Sequence, residues 1–294
     1  MNYFYLIIIA ILFFSLSATG AQEYKLVESE SGKPYSIDKM SDELLNYDVI
    51  FFGELHDDSL LHHLEAEVFR KLVSQNDNVV LSMEMFERDN QTELTNFIKG
   101  KIDYSAFSQQ ARLWPNHQTD YQPLLQIAKR YQRDVIAANV PRRYASLLAK
   151  NGEGALQEIN PDERKFLAEK IVVLDDRYKK EFYATMEDMS KQGMPNRSGH
   201  DMLLNIYKAQ CLKDDTMAES IHQYLVSNPD KKVLHINGDF HSRYYLGTVQ
   251  KLALMNKKLK IAVITPVVFA ETQELEWKPE FSEAGDYLIL LHRK

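Results

Sequence analysis

Six short apolar runs, each bounded by polar or turn-forming residues, constrain this chain most. They are Asp48 to Phe52, Val79 to Met85, Val135 to Ala138, Val233 to Ile236, Ile261 to Ile264 and Tyr287 to Leu291. Runs of this length and composition read as buried strands. Helical spacing lies between most of them. Leu61, Leu64, Val68 and Leu72 mark one apolar face after the first run. Leu124, Leu125, Ile127 and Ala128 sit in another helix, opened by Thr119 and Gln122 in capping-box order. Such alternation predicts an α/β fold with a mainly parallel sheet flanked by helices on both faces.

The stretch 141–227 breaks the alternation. It has no strand-like run, and it holds five of the ten methionines: Met186, Met189, Met194, Met202 and Met217. Gly152 and Gly154 punctuate its start, and Gly193, Pro195 and Gly199 its middle. It is expected to form an all-helical insertion, a cap on an α/β domain made of 22–140 and 228–294. Methionine fills irregular cores and adaptable apolar pockets alike, so the cap is either plain core or a binding surface.

Tyr3 to Leu16 is almost unbroken apolar sequence, followed by Ala18, Thr19, Gly20 and Ala21. This order reads as a secretory signal over 1–21, cut near Ala21, which sends the chain to a periplasm. The run falls short of the roughly 20 residues of a spanning helix, so a retained, membrane-associated segment is the lesser alternative. Cys211 is the single cysteine, which excludes an internal disulfide and an all-cysteine metal site. No lipobox cysteine follows the apolar run to carry a lipid anchor. With 35 basic against 42 acidic side chains, a net charge of −7 and no long basic run, nucleic acid is not an expected partner.

Chemistry collects in a pattern that occurs twice. Gly53-Glu54-Leu55-His56 follows the first strand and Gly238-Asp239-Phe240-His241 the fourth. Eleven glycines, 42 acids and nine histidines in 294 residues give such a pattern an expectation of about 0.05 occurrences. Ligands of open parallel sheets bind beyond the strand carboxyl ends, where glycine permits a sharp turn and the acid and imidazole face the crevice. Glu54, His56 and His241 could there hold a divalent metal, or the pairs could act as base and acid. Glu84 ends an apolar strand and needs a histidine, an arginine or a cation beside it. Arg142, just past Pro141 at a helix start, is placed to hold an anion. His62 and His63 read as the polar face of their helix and are left out of the site, while His117 is undecided.

A helix from about His200 to Leu225 places Leu203, Tyr207, Gln210, Asp214, Met217 and Ile221 on one face. Gln210 and Asp214 interrupt that face, so they tie the cap to the sheet or line a pocket. Tyr207 beside them is a core residue or an anionic oxygen ligand for ferric iron.

Several segments then match one family in order. They are Gly53-Glu54-Leu55-His56-Asp57, Glu84-Met85-Phe86, Tyr121-x-Pro123-Leu124, Ala138-Asn139-Val140-Pro141-Arg142, Ala209-Gln210 with Asp215-Thr216-Met217-Ala218, and Gly238-Asp239-Phe240-His241. From about Leu44 to Val249 the chain resembles ChaN-type haem-binding, iron-regulated lipoproteins of the Tiki/TraB/erythromycin-esterase group. The resemblance implies a capped parallel α/β domain that binds haem as a homodimer through a tyrosine, and exchange with an outer-membrane haem receptor. Tyr207 is the expected ligand, with Gln210 and Met217 beside it and Tyr178 and Tyr183 as rivals. The alternative function is a hydrolase using Glu54, His56, Glu84 and His241, with a divalent metal or without one.

Overall fold

Each of the six apolar runs is a strand in the computed structural model, which describes residues 24–191 and 200–292. The signal expected over 1–21 and Met194 of the cap lie outside the described residues. The strands are β1 (Tyr24–Glu28), β2 (Val49–Glu54), β3 (Val79–Glu87), β4 (Val135–Asn139), β5 (Lys232–Gly238), β6 (Ile261–Phe269) and β7 (Tyr287–His292), in spatial order β1-β7-β6-β2-β5-β3-β4. From β7 to β4 all neighbours run parallel. β1 is the strand the apolar pattern does not announce. Its five residues include Lys25 and Glu28, and it is held by antiparallel pairing with β7 at the sheet edge.

The helices are α1 (Ile37–Leu44), α2 (Ser59–Gln75), α3 (Gln91–Ile98), α4 (Tyr104–Gln110), α5 (Gln122–Tyr131), α6 (Arg142–Asn151), α7 (Arg177–Lys191), α8 (His200–Ser227) and α9 (Gly247–Met255). Alternate residues of β2 serve the two faces of the sheet. Ile50 and Phe52 share a core with residues of α1 to α5, such as Leu64 and Leu124. Val49 and Phe51 pack with Ala218 and Ile221 of α8 and Leu252 of α9. Burial on both sides is why β2 reads as unbroken apolar sequence.

No strand occurs among the described residues of 141–227, as an all-helical insertion requires. The cap is not detached, however. The first half of α8 packs with α7 through Tyr178, Phe182, Tyr207 and Cys211, and its second half lies on the sheet. One continuous helix therefore carries the cap down to the strands. The expected capping box is not formed: Thr119 bonds the carbonyl of Asn116, and α5 starts after a wide turn over His117–Tyr121 with Pro123 in its first turn. At the open edge, the side-chain amide of Gln91 accepts from Ala137 N and donates to Val135 O, both at 2.8 Å. That amide stands in for a neighbouring strand and blunts the edge.

The winding leaves a gap between β2 and β3 that β5 fills later, and β6 then continues on the other side of β2. The order reverses at β2 and β5, so the crevice opens beyond their carboxyl ends.

Candidate functional site

The two Gly-acid-x-His segments leave β2 and β5 side by side, with Gly53 opposite Asn237 and Glu54 opposite Gly238. Neither Gly53 nor Gly238 has a positive φ, so a sharp left-handed turn is not their role. Each supplies room for the other segment. A Cβ on Gly53 would lie 2.6 Å from Asp239 Oδ1 and 3.0 Å from its Cα; one on Gly238 would lie 2.8 Å from His56 Cε1 and 2.9 Å from Nε2. The repeat is a reciprocal interlock.

In the first segment, buried Glu54 stands behind its own histidine. His56 Nδ1 donates to Glu54 Oε1 at 2.5 Å, and the Tyr121 hydroxyl donates to the same oxygen at 2.8 Å. Burial pushes the Glu54 carboxyl up, but the bond from His56 and the proximity of His62 prevail and hold it at about 2. The His56 side chain is 45% exposed, with the Trp114 ring edge-on at 4.9 Å. Burial opposes its charge, yet the Glu54 bond and the Glu84 charge raise its pKa. An imidazole held at one nitrogen and open at the other suits a base, an acid or an iron ligand.

The second segment is built otherwise. Asp239 turns away from the crevice toward Gly53 and Arg243, its Oδ2 3.9 Å from Arg243 Nη1, and burial pushes its carboxyl up to about 7. His241 takes its carboxylates from elsewhere: Nδ1 bonds Asp214 Oδ1 of α8 at 2.7 Å, and Nε2 lies 3.3 Å from Glu84 Oε1 of β3. Burial opposes its charge, but those two anions lift it to about 10. Glu84 is thus the paired carboxylate its position required, and its Oε2 also accepts from Gly238 N at 2.8 Å. Asp214 further accepts from Tyr178 and Thr248, and Gln210 Nε2 reaches Tyr178 and His241. The two polar residues of α8 tie cap to sheet.

His56 and Glu84 line a cleft of about 610 Å3 with Leu113, Trp114, Pro115 and Val140 on its apolar side. Four cations border it. Arg112 and Arg143 are paired with acids, Asp89 among them, whereas Arg142 and Lys213 have no ion pair among the described residues. Arg142 therefore stands where an anion would meet it.

The expected metal set, Glu54, His56 and His241, does not come together, because His241 has both nitrogens on carboxylates. Among the described residues one group brings three ligand atoms within 4.8 Å: Glu54, His62 and Glu65. His62 thus belongs to the buried machinery and not to the polar face of α2; only 4% of it is exposed. The signal in the sequence was Glu65, an acid on the apolar face of α2 three residues after His62. Burial opposes the charge of His62, but Glu54 and Glu65 lift it to about 11, and burial beside Glu54 raises Glu65 well above the usual carboxylate range. His117 is a core histidine against Phe86, Tyr104 and Phe107, and burial lowers it to about 4.

In the cap, Tyr207 is fully buried and its hydroxyl donates to Leu174 O at 2.9 Å. Tyr178 is buried on Asp214, and Met217 is buried below. Tyr183, of the same aromatic cluster, is half-buried, with no hydrogen bond from its hydroxyl among the described residues.

Comparison with known proteins bears on this site. Residues 40–252 match the family model described as haem-binding uptake, Tiki superfamily, ChaN. Among solved structures, ChaN of Campylobacter jejuni, described with cofacial haem binding, superposes with a TM-score of 0.67 at 19% identity, covering 92% of this chain and 97% of that one. An erythromycin esterase mutant in an open conformation gives a TM-score of 0.48 at 12% identity, over 90% of this chain and 82% of that one. No curated protein matches. The family match spans both Gly-acid-x-His segments, the cleft and the cap, and the chain belongs to the ChaN family of haem-binding uptake proteins in the Tiki superfamily.

Proposed function

We propose that this chain is an exported haem carrier of iron acquisition. It holds haem by a cap tyrosine, works as a homodimer and passes its cargo to or from an outer-membrane receptor. Membership of the haem-binding family carries the reading. The cleft fits the group: apolar Trp114, Leu113 and Val140 suit the macrocycle, and the unpaired Arg142 and Lys213 suit its two carboxylates. When bound, haem supplies a ferric iron that tyrosinate or imidazole can ligate. His56 offers the free ring nitrogen in the cleft. None of the cap tyrosines lines that cleft, so a tyrosine ligand would bring the cap cluster to the haem. There Tyr183 has its hydroxyl free of hydrogen bonds among the described residues, whereas Tyr207 must first leave Leu174 O.

A haemin titration followed by visible absorption tests this. The wild type gives a saturable Soret shift with a tyrosinate charge-transfer band, and Tyr183→Phe removes the band. Retention of the band in Tyr183→Phe and its loss in Tyr207→Phe would return the role to Tyr207. No saturable shift in the wild type sinks the haem reading.

The His56–Glu54 pair favours a second reading, a hydrolase in which Glu54 orients His56 as general base toward water in the cleft. Ester and peptide panels with wild type and His56→Ala test it. Turnover lost in the variant supports it, and no turnover in the wild type dismisses it.

A further inference from the structure

The buried group beneath the cleft poses a problem of protons. His62 Nε2 lies 3.2 Å from the carbonyl oxygen of His56, which can only accept, so the proton sits on Nε2. In the neutral ring that leaves Nδ1 with a lone pair. Nδ1 faces two carboxylate oxygens, Glu54 Oε2 and Glu65 Oε2, each at 3.3 Å. A lone pair against two carboxylates is repulsive, so a cation must stand between them. It is either a proton, carried on Nδ1 or on Glu65, or a metal ion.

The geometry distinguishes the two. One N–H shared between two oxygens makes only a weak three-centre bond, whereas a charge-assisted N–H···O bond to a single carboxylate closes to roughly 2.7–2.9 Å. Here neither contact closes, and Glu54 Oε2 and Glu65 Oε1 are buried without a hydrogen-bond partner among the described residues. Ligands each about 2.0–2.2 Å from a tetrahedral zinc stand roughly 3.3–3.6 Å from one another. The two nitrogen-to-oxygen spacings are those of a coordination sphere, and all three atoms lie within 4.8 Å of one another. The outer contacts are also of the kind that fix metal ligands: Nε2 of His62 on a backbone carbonyl, and Tyr121 and His56 on the other oxygen of Glu54.

We propose that Glu54, His62 and Glu65 bind one divalent transition-metal ion, zinc or a metal of similar ligand preference. The nitrogen-and-carboxylate donor set selects against calcium and magnesium, which take oxygen alone. The site is distinct from the cleft, because it uses Nδ1 of His62 and Oε2 of Glu54 and leaves His56 outside. It bears on the cleft through Glu54, whose Oε1 orients His56. The proposal stands whether or not the cleft holds haem.

The test uses the purified chain, stripped with a chelator and titrated with Zn2+ alone and with Co2+ alone. One ion per chain is expected, with the visible absorption of Co2+ in a low-coordinate nitrogen and oxygen site and a higher melting temperature with Zn2+. Glu65→Gln and His62→Gln, which remove ligands, each weaken uptake by more than about 100-fold, whereas His56→Ala, which removes only an outer partner, weakens it by about 10-fold. No saturable uptake by the wild type overturns the proposal, as does uptake that survives both Glu65→Gln and His62→Gln. If those variants do not fold, Glu84→Gln and the double variant His56→Ala/Arg142→Ala decide. Uptake retained in both keeps the ion out of the cleft, and uptake lost in either places it there and overturns the assignment.

Discussion

The two Gly-acid-x-His segments share a pattern and almost nothing else. His56 takes its carboxylate from its own segment and is 45% exposed in the cleft; the His241 side chain is 6% exposed and takes carboxylates from β3 and α8. Glu54 points back into the core, while Asp239 turns to the far side of the sheet end. What the copies share is the mutual fit of glycine against the other segment. A repeated motif thus records a packing solution, and only one of its two imidazoles opens onto the cleft.

The largest effect should separate the two histidines. Removing His241 leaves Glu84 and Asp214 buried as uncompensated anions, so His241→Ala should cost about 3–5 kcal/mol in urea unfolding. His56→Ala opens a half-exposed site and should cost about 1 kcal/mol or less. The haem spectrum should respond in the opposite order among folded variants, His56→Ala altering it and His241→Asn leaving it. Equal stability losses would mean that the second histidine is not the clamp between cap and sheet.

The same contrast has a pH signature. The folded state raises His241 from the ordinary value of about 6.5 to about 10. Its stabilisation is therefore complete below about 6.5 and is lost as pH rises through about 10, because the unfolded chain sheds the proton first. Unfolding free energies should fall across that window by an amount on the order of a few kcal/mol. The double variant Glu84→Gln/Asp214→Asn should flatten the decline. An equally steep decline in that variant would assign it to other groups.

How much of this was legible in the sequence follows from how each signal arises. Strands β2 to β7, the edge strand β4 included, are largely buried on both faces, so their composition gives them away; β1 is held by antiparallel pairing at the other edge, and its Lys25 and Glu28 hide it. Chain order exposed the segments at the carboxyl ends of β2 and β5. It could not show which way each acid turns, since Asp239 is steered by Gly53 on another strand. His62 was misplaced because it has a histidine neighbour on the solvent side, and only Glu65 on the buried face betrays its partnership. Tyr207 stands beside matching residues, yet its hydroxyl is taken by Leu174 O, a long-range bond that spacing does not reveal.

The smallest effect tests the interlock itself. A methyl group at Gly53 meets the Asp239 side chain at 2.6 Å and its Cα at 3.0 Å, and backbone cannot step aside cheaply. Gly53→Ala should therefore cost about 1–3 kcal/mol as an overpacking change. At Gly238 the obstacle is the far end of the His56 ring, which the cleft leaves room to move. Gly238→Ala should cost less than Gly53→Ala, by about 1 kcal/mol, and should register in the cleft instead, because the displaced ring loses its 2.5 Å bond to Glu54. Urea midpoints and haemin spectra of the two variants read both quantities. If Gly238→Ala were the more destabilising and left the haem spectrum unchanged, His56 would be a packing residue like His241, and the asymmetry between the two segments would fail.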